Sequence, residues 1–150
     1  MRVILQRVSE ASVEIEKKRV SKINHGLLIL MGIEEADTQE DIAWLCRKIS
    51  NMRVFYDGNK AMNLSVKDVD GEVLVVSQFT LHASVKKGNR PSFIKAAKPE
   101  VAIPLYEDFI KEMEIQLGKP IKKGEFGADM QVQLVNDGPV TISIDSKIKE

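Results

Sequence analysis

The chain has 150 residues, 43% hydrophobic and 29% charged, ordinary globular values that exclude a collagenous or disordered chain and leave enough length for one real core. Lys plus Arg and Asp plus Glu each number 22, a formal net charge of zero, so bulk attraction to nucleic acid is weak and any such binding has to be local. The single cysteine, Cys46, rules out an intrachain disulfide and a thiolate cluster, and without a signal peptide or a run of about 18 apolar residues the chain reads as cytoplasmic, with no membrane partner.

Val3 to Val8 alternates as a strand, and Ala11 to Ile15 repeats the pattern with Ala11, Val13 and Ile15 on one face. A third strand, Arg19 to Ile23, leads through Asn24, His25 and Gly26 to Leu27–Met31, a run without polar alternation that suits a strand covered on both faces. Gly32 ends it. Thr38 with Asp41 three residues later has the form of a capping box, and Ile42, Leu45, Cys46, Ile49 and Met52 then make one helical stripe. Cys46 lies inside that stripe and reads as a small buried hydrophobe.

A short strand over Arg53–Tyr56 meets the Asp57-Gly58 turn, and a second turn at Asp70-Gly71 feeds the strand EVLVVSQFTL. Lys86 to Ser92 is loop by composition. A second helix is expected over Pro99–Leu117, turning Leu105, Tyr106, Phe109, Ile110, Met113 and Leu117 inward, with Gly118 as its stop. Pro104 requires that this helix start later than Pro99 or bend. The last strands, Met130–Val135 and Val140–Ile144, flank NDGPVT, where Asp-Gly suits a hairpin turn and Pro139 disfavours one.

The pattern gives about seven strands and two helices without a strand-helix repeat. The expected fold is therefore α+β: one domain over residues 1–150, an antiparallel or mixed, barrel-like sheet with two helices packed outside it.

Side chains suited to catalysis are few. His25 sits in a turn and His82 follows a strand end; H-E-x-x-H, C-x-x-C and G-x-S-x-G are all absent. Ser77 and Thr80 end the most apolar strand, so Thr80 is a candidate nucleophile if His82 or a distant Asp lies beside it, and equally both residues fill ordinary β positions. Asp129, Asp137 and Asp145 suit acid-base work or turns. No metal site or cofactor is called for.

Four stretches carry a resemblance: MRVILQRV at the start, SQFTL at Ser77–Leu81, KGNRPSF at Lys87–Phe93, and GEFGADMQVQLVNDGPVT at Gly124–Thr141. Together they resemble the D-aminoacyl-tRNA deacylase family, hydrolases that remove D-amino acids mischarged on tRNA. The resemblance implies a homodimer of barrel-like subunits with active sites at the interface. It implies that Gly138-Pro139 is cis and reaches into the partner's pocket, where the two carbonyls receive the α-ammonium and leave no volume for an L side chain.

It further implies that Ser77, Gln78, Phe79 and Thr80 line the pocket for the aminoacyl ester, with backbone N–H groups near Phe79 and Thr80 polarising its carbonyl. Phe126 and Met130 would contact the terminal adenosine. Lys86, Lys87, Arg90, Lys122 and Lys123 are candidate phosphate contacts to the acceptor end. Glycyl-tRNA, having no side chain to exclude, should pass at least in part. A non-catalytic dimeric module that binds RNA ends is the alternative reading.

Overall fold

In a computed structural model covering Met1–Glu150, the two N-terminal strands merge into one 14-residue strand, β1 (Arg2–Ile15). Val3, Leu5 and Arg7 point inward, Ser9 and Glu10 are exposed, and Ala11 and Val13 are buried again. The inward phase slips at Val8, where the pairing register is irregular, and such a bulge lets one long strand bend around a core.

β2 (Lys18–Ile23) and β3 (Gly26–Gly32) lie along the same edge of β1, β3 against Arg2–Val8 and β2 against Ala11–Ile15, both antiparallel. β4 (Phe55–Tyr56) and β5 (Met62–Leu64) form a separate small ribbon. β6 (Glu72–Ser77) pairs parallel with β3, and β7 (Lys122–Lys123) parallel with β6. β8 (Gln131–Asp145) covers the other edge of β1 over almost its full length. The result is a mixed, barrel-like sheet with two helices, α1 (Gln39–Asn51) and α2 (Pro99–Leu117), outside it.

β3 is the central strand expected from its sequence. Leu27, Ile29 and Met31 face a core shared with Ile42, Leu45, Ile49, Phe109 and Met113 of the helices. Leu28 faces the other way, into a second core with Val8, Val13, Leu74 and Val76. Full burial of each such side chain contributes about 1.5–3 kcal/mol, so β3 and β6 hold the two cores together. Cys46 is fully buried between α1 and α2, where burial and the Glu112 carboxylate push its thiol pKa up. No helix is long and apolar enough to cross a membrane.

Three local expectations change, while the bounds of α2 hold. Short β5 and β7, which carry little pattern, are added to the expected strands, and β4 and β5 lie outside the six-stranded main sheet. β6 stops at Ser77: the Gln78 N–H donates to the Met31 carbonyl at 2.7 Å, and Phe79–His82 then winds into one 3-10 turn, so Thr80 occupies no β position. α2 begins at Pro99 despite Pro104, whose missing N–H leaves the carbonyl of exposed Glu100 to solvent. Met130–Val135 and Val140–Ile144 are not two strands: NDGPVT interrupts a single 15-residue strand, β8.

Asp41 closes the start of α1. Its carboxylate accepts from the Thr38 N–H at 2.8 Å, from the Ser146 hydroxyl at 2.6 Å and from Lys147 Nζ at 2.8 Å. Burial alone would raise its pKa, but the hydrogen bonds from Lys147, Ser146 and Thr38 outweigh burial and hold it well below the usual carboxylate range. A depressed folded pKa gives stability that is complete above the unfolded value, about 3.9, and is withdrawn as pH falls below it. Urea midpoints measured from pH 5 to pH 2 should therefore fall more steeply for the wild-type protein than for Asp41→Asn; parallel curves would refute the assignment.

Candidate active site

β3 and β6 run parallel and end together at Met31 and Ser77, which are paired. Beyond them the chains diverge, one toward α1 and the other into the turn at Phe79–His82. The gap is a cavity of ≈ 260 Å³, walled by Met31, Ser77, Gln78, Phe79, Phe126 and Met130, with the small side chains of Ala97 and Ala102 opening space near the start of α2. None of its lining residues is ionisable.

Each wall is braced from behind. The Tyr106 hydroxyl donates to the Val75 carbonyl at 3.2 Å, and its ring meets Phe126 edge-on at 5.6 Å. Burial pushes the Tyr106 pKa up to about 12, so it stays a neutral donor. The Gly124 N–H donates to the Val75 carbonyl at 3.0 Å and leads the chain from β7 into the Phe126–Met130 wall. On the other side the Phe79 ring, 57% exposed, packs edge-to-face on Phe93 at 5.1 Å.

Thr80 stands beside the cavity and not among its lining residues; its Oγ accepts a hydrogen bond from Gln78 Nε2. His82 is buried, 1% exposed, and neither ring nitrogen has a hydrogen-bond partner, so it is not bonded to Thr80 as a base. Asp145 is engaged with Arg2 at 2.7 Å and Asp137 with Arg7 at 3.4 Å. No Ser-His-Asp or Thr-His relay forms from these residues.

Gly138 and Pro139 lie elsewhere on the chain. Gln6 pairs with Thr141 and Val8 with Asn136, so the single residue Arg7 faces the whole segment Asp137–Val140, which bulges from the sheet. Its Gly138-Pro139 peptide is cis, and both residues are exposed. Asn136 closes the neck, accepting from the Val140 N–H at 3.2 Å and donating to the Thr141 hydroxyl at 2.9 Å.

Arg7 roots the bulge. Fully buried, it donates through Nε to the Asp137 carbonyl at 3.1 Å and through Nη1 to the Val54 carbonyl at 2.6 Å, and its guanidinium lies 4.4 Å from the centre of the Tyr56 ring.

Ser77, Gln78, Phe79, Phe126 and Met130 thus converge on one cavity, Thr80 flanks it, and Gly138-Pro139 does not meet it within one chain. Lys86, Lys87 and Arg90 are exposed on their loop, and Lys122 and Lys123 are exposed on β7. Arg7 and Tyr106 were not singled out from the sequence as site residues. The readable signal for Arg7 was its phase: an arginine in step with Val3 and Leu5 occupies a position that alternation reserves for the core.

A family model described as D-Tyr-tRNA(Tyr) deacylase matches residues 4–145. The D-aminoacyl-tRNA deacylases of Flavobacterium psychrophilum and Bacteroides fragilis are 65% and 63% identical to the chain, each over 150 residues and the full length of both proteins.

Among solved structures, the c-Myc DNA Unwinding Element Binding Protein superposes with a TM-score of 0.90 at 42% identity, covering 97% of this chain and 98% of that one. A probable eukaryotic D-amino acid tRNA deacylase shares the fold, with a TM-score of 0.80 at 18% identity over 95% of this chain and 98% of its own. Matches of this extent and identity leave one assignment: the chain belongs to the D-Tyr-tRNA(Tyr) deacylase family.

Proposed function

We propose that this protein hydrolyses the ester joining a D-amino acid to the terminal ribose of tRNA, releasing the free amino acid and intact tRNA in the cytoplasm. The observation that carries the reading is the convergence of Ser77, Gln78, Phe79, Phe126 and Met130 on one cavity without ionisable lining, in a chain of this family. Phe126 and Met130 hold the terminal adenosine and the Ser77–Thr80 turn receives the ester. Lys86, Lys87, Arg90, Lys122 and Lys123 contact phosphates of the acceptor end as exposed cations.

The chemistry asks little of side chains. An aminoacyl ester is activated, so a positioned water adds to its carbonyl carbon while backbone N–H groups of Phe79 and Thr80, at the open start of a helical turn, take the charge on the oxygen. Collapse breaks the bond to the ribose oxygen, and the adjacent ribose hydroxyl relays the proton that this oxygen needs. Gln78 fixes the Thr80 hydroxyl as an acceptor, a poor arrangement for a nucleophile with no base bonded to it. Thr80→Ala should therefore keep turnover within about ten-fold of wild type; a loss beyond about 10⁴-fold, the scale of removing a nucleophile, would restore Thr80 to covalent chemistry.

Enantiomer choice is assigned to Gly138-Pro139 of a second copy. The bulge projects from its own subunit, and β8 contains no fully buried residue, with Leu134 36% and Val135 51% exposed. Such a strand suits a face covered by an identical chain, which brings each bulge to the other's cavity and makes a homodimer with active sites at its interface. Main-chain atoms there exclude an L side chain and read nothing of a D one.

Steady-state hydrolysis of matched tRNAs tests this reading. D-tyrosyl-tRNA and other D-aminoacyl-tRNAs should be cleaved, glycyl-tRNA at least partly, and L-tyrosyl-tRNA no faster than its spontaneous loss. Rapid cleavage of the L ester would refute the filter, and binding without any turnover would favour a non-catalytic RNA-end module.

A further inference from the structure

We propose that Phe93, with Phe79, forms a stacking seat for the unpaired nucleobase that precedes the terminal adenosine, which makes Phe93 a positioning residue for tRNA. The inference rests on the deacylase reading above and extends it beyond the adenosine cavity.

The two rings stand nearly perpendicular, 78° apart with centroids 5.1 Å from one another, and leave a corner open to solvent, Phe79 being 57% and Phe93 38% exposed. Phe79 also lines the cavity, so the corner sits at its mouth, where the strand leaving a bound adenosine must pass. The two rings pack on one another edge-to-face and still leave π-surface exposed beside the cavity, and a π-face accepts any base.

Phe93 is held rigidly enough to act as a seat. Just before it, Ser84 and Ser92 exchange two backbone hydrogen bonds of 2.8 and 2.9 Å that close the neck of the loop. Just after it, the Ala96 N–H donates to the Phe93 carbonyl at 3.0 Å, and the Ala97 N–H to the Ile33 carbonyl at 2.9 Å.

Charge selects the class of ligand. Between Glu72 and Glu100 there is no acidic residue, while Lys86, Lys87, Arg90, Lys95 and Lys98 are all exposed in that interval. Aromatic faces with cations on either side form the platform that single-stranded nucleic acid uses, bases on the rings and phosphates on the cations.

The test compares two substrates, D-tyrosyl-tRNA and the D-tyrosyl ester of adenosine alone, which lacks the preceding nucleotide. Phe93→Ala should raise KM for the tRNA at least about five-fold, the lower end of the effect of losing one stacked base. It should leave kcat for the tRNA unchanged and leave both constants for the adenosine ester unchanged, which also reports that the variant folds. Phe93→Tyr keeps the π-face and should match wild type; Phe93→Leu keeps bulk without the face and should behave as Phe93→Ala.

Equal loss on both substrates would make Phe93 structural, and wild-type behaviour of Phe93→Ala on tRNA would remove the seat. A changed oligomeric state in Phe93→Ala would give the corner to a subunit contact. If the wild-type protein cleaves neither substrate, the deacylase reading itself fails, a result separable from the others because no variant is needed to see it.

Discussion

Replacing Gly138 by alanine should lower D-aminoacyl-tRNA deacylation at least about ten-fold, the effect of roughly 1.4 kcal/mol at the transition state, and should narrow the gap between D and L substrates. Gly138 has φ +126°, a region that L residues avoid at a cost of order 1–3 kcal/mol. A Cβ built there would stand 2.7 Å from Arg7 Nη2 and 3.1 Å from Val140 Cγ2. The far end of an exposed arginine would swing aside. Arg7 is fully buried and held by two carbonyls and a ring, so the bulge has to move instead, and Pro139 moves with it. Parallel rates on D- and L-tyrosyl-tRNA measure both effects; an unchanged D/L ratio would mean that this segment does not choose the enantiomer.

Arg7→Ala should be the more damaging change to the fold, costing about 3 kcal/mol by loss of buried hydrogen bonds and packing. The carbonyls of Asp137 and Val54 would lose their donor, and Tyr56 its stacked partner. The bulge then loses its root, so deacylation and D/L discrimination should decline together in the protein that still folds. Arg7→Lys is the sharper probe. A compact ammonium cannot reach two divergent carbonyls while lying flat on a ring, so it should recover little of either stability or selectivity. Urea midpoints with tRNA deacylation rates decide it, and a wild-type-like lysine variant would reduce Arg7 to a point charge.

The layered core was largely legible in the sequence. Leu27–Met31 has no polar interruption and became the doubly covered strand. The three- and four-residue spacing from Ile42 to Ile49 became the inner face of α1, with Cys46 buried among it, and α2 took the bounds set by Pro99 and Gly118. Each of these is a local pattern that burial reinforces.

NDGPVT gave opposing signals, Asp-Gly for a hairpin and Pro139 against it, and local pattern could not choose between them. Asp-Gly favours reversal, but β1 offers ladder partners on both sides of the motif, Asn136 to Val8 and Thr141 to Gln6. Pairing with a distant strand satisfies more backbone than a hairpin would, so the chain continues straight and expels Asp137–Val140 as a bulge. SQFTL misled through local pattern: Phe79 and Thr80 have β-forming side chains, yet β3 ends its ladder at Met31 and the turn follows.

The site's composition was reachable only through likeness to a family, since a cavity lined without charge bears no catalytic motif. Tyr106 and Phe93 act through what they touch, which spacing does not reveal.

The pairing of β1 with β8 also sets the order in which this molecule can be made. The ribosome delivers β1 first, but the strand that covers its long outer edge begins at Gln131. Until that strand emerges, β1 offers a row of open N–H and C=O groups to any nascent neighbour. The sheet can close only once Gln131–Asp145 has emerged, which makes the growing chain vulnerable to edge-to-edge aggregation and gives it a topology of slow, long-range closure.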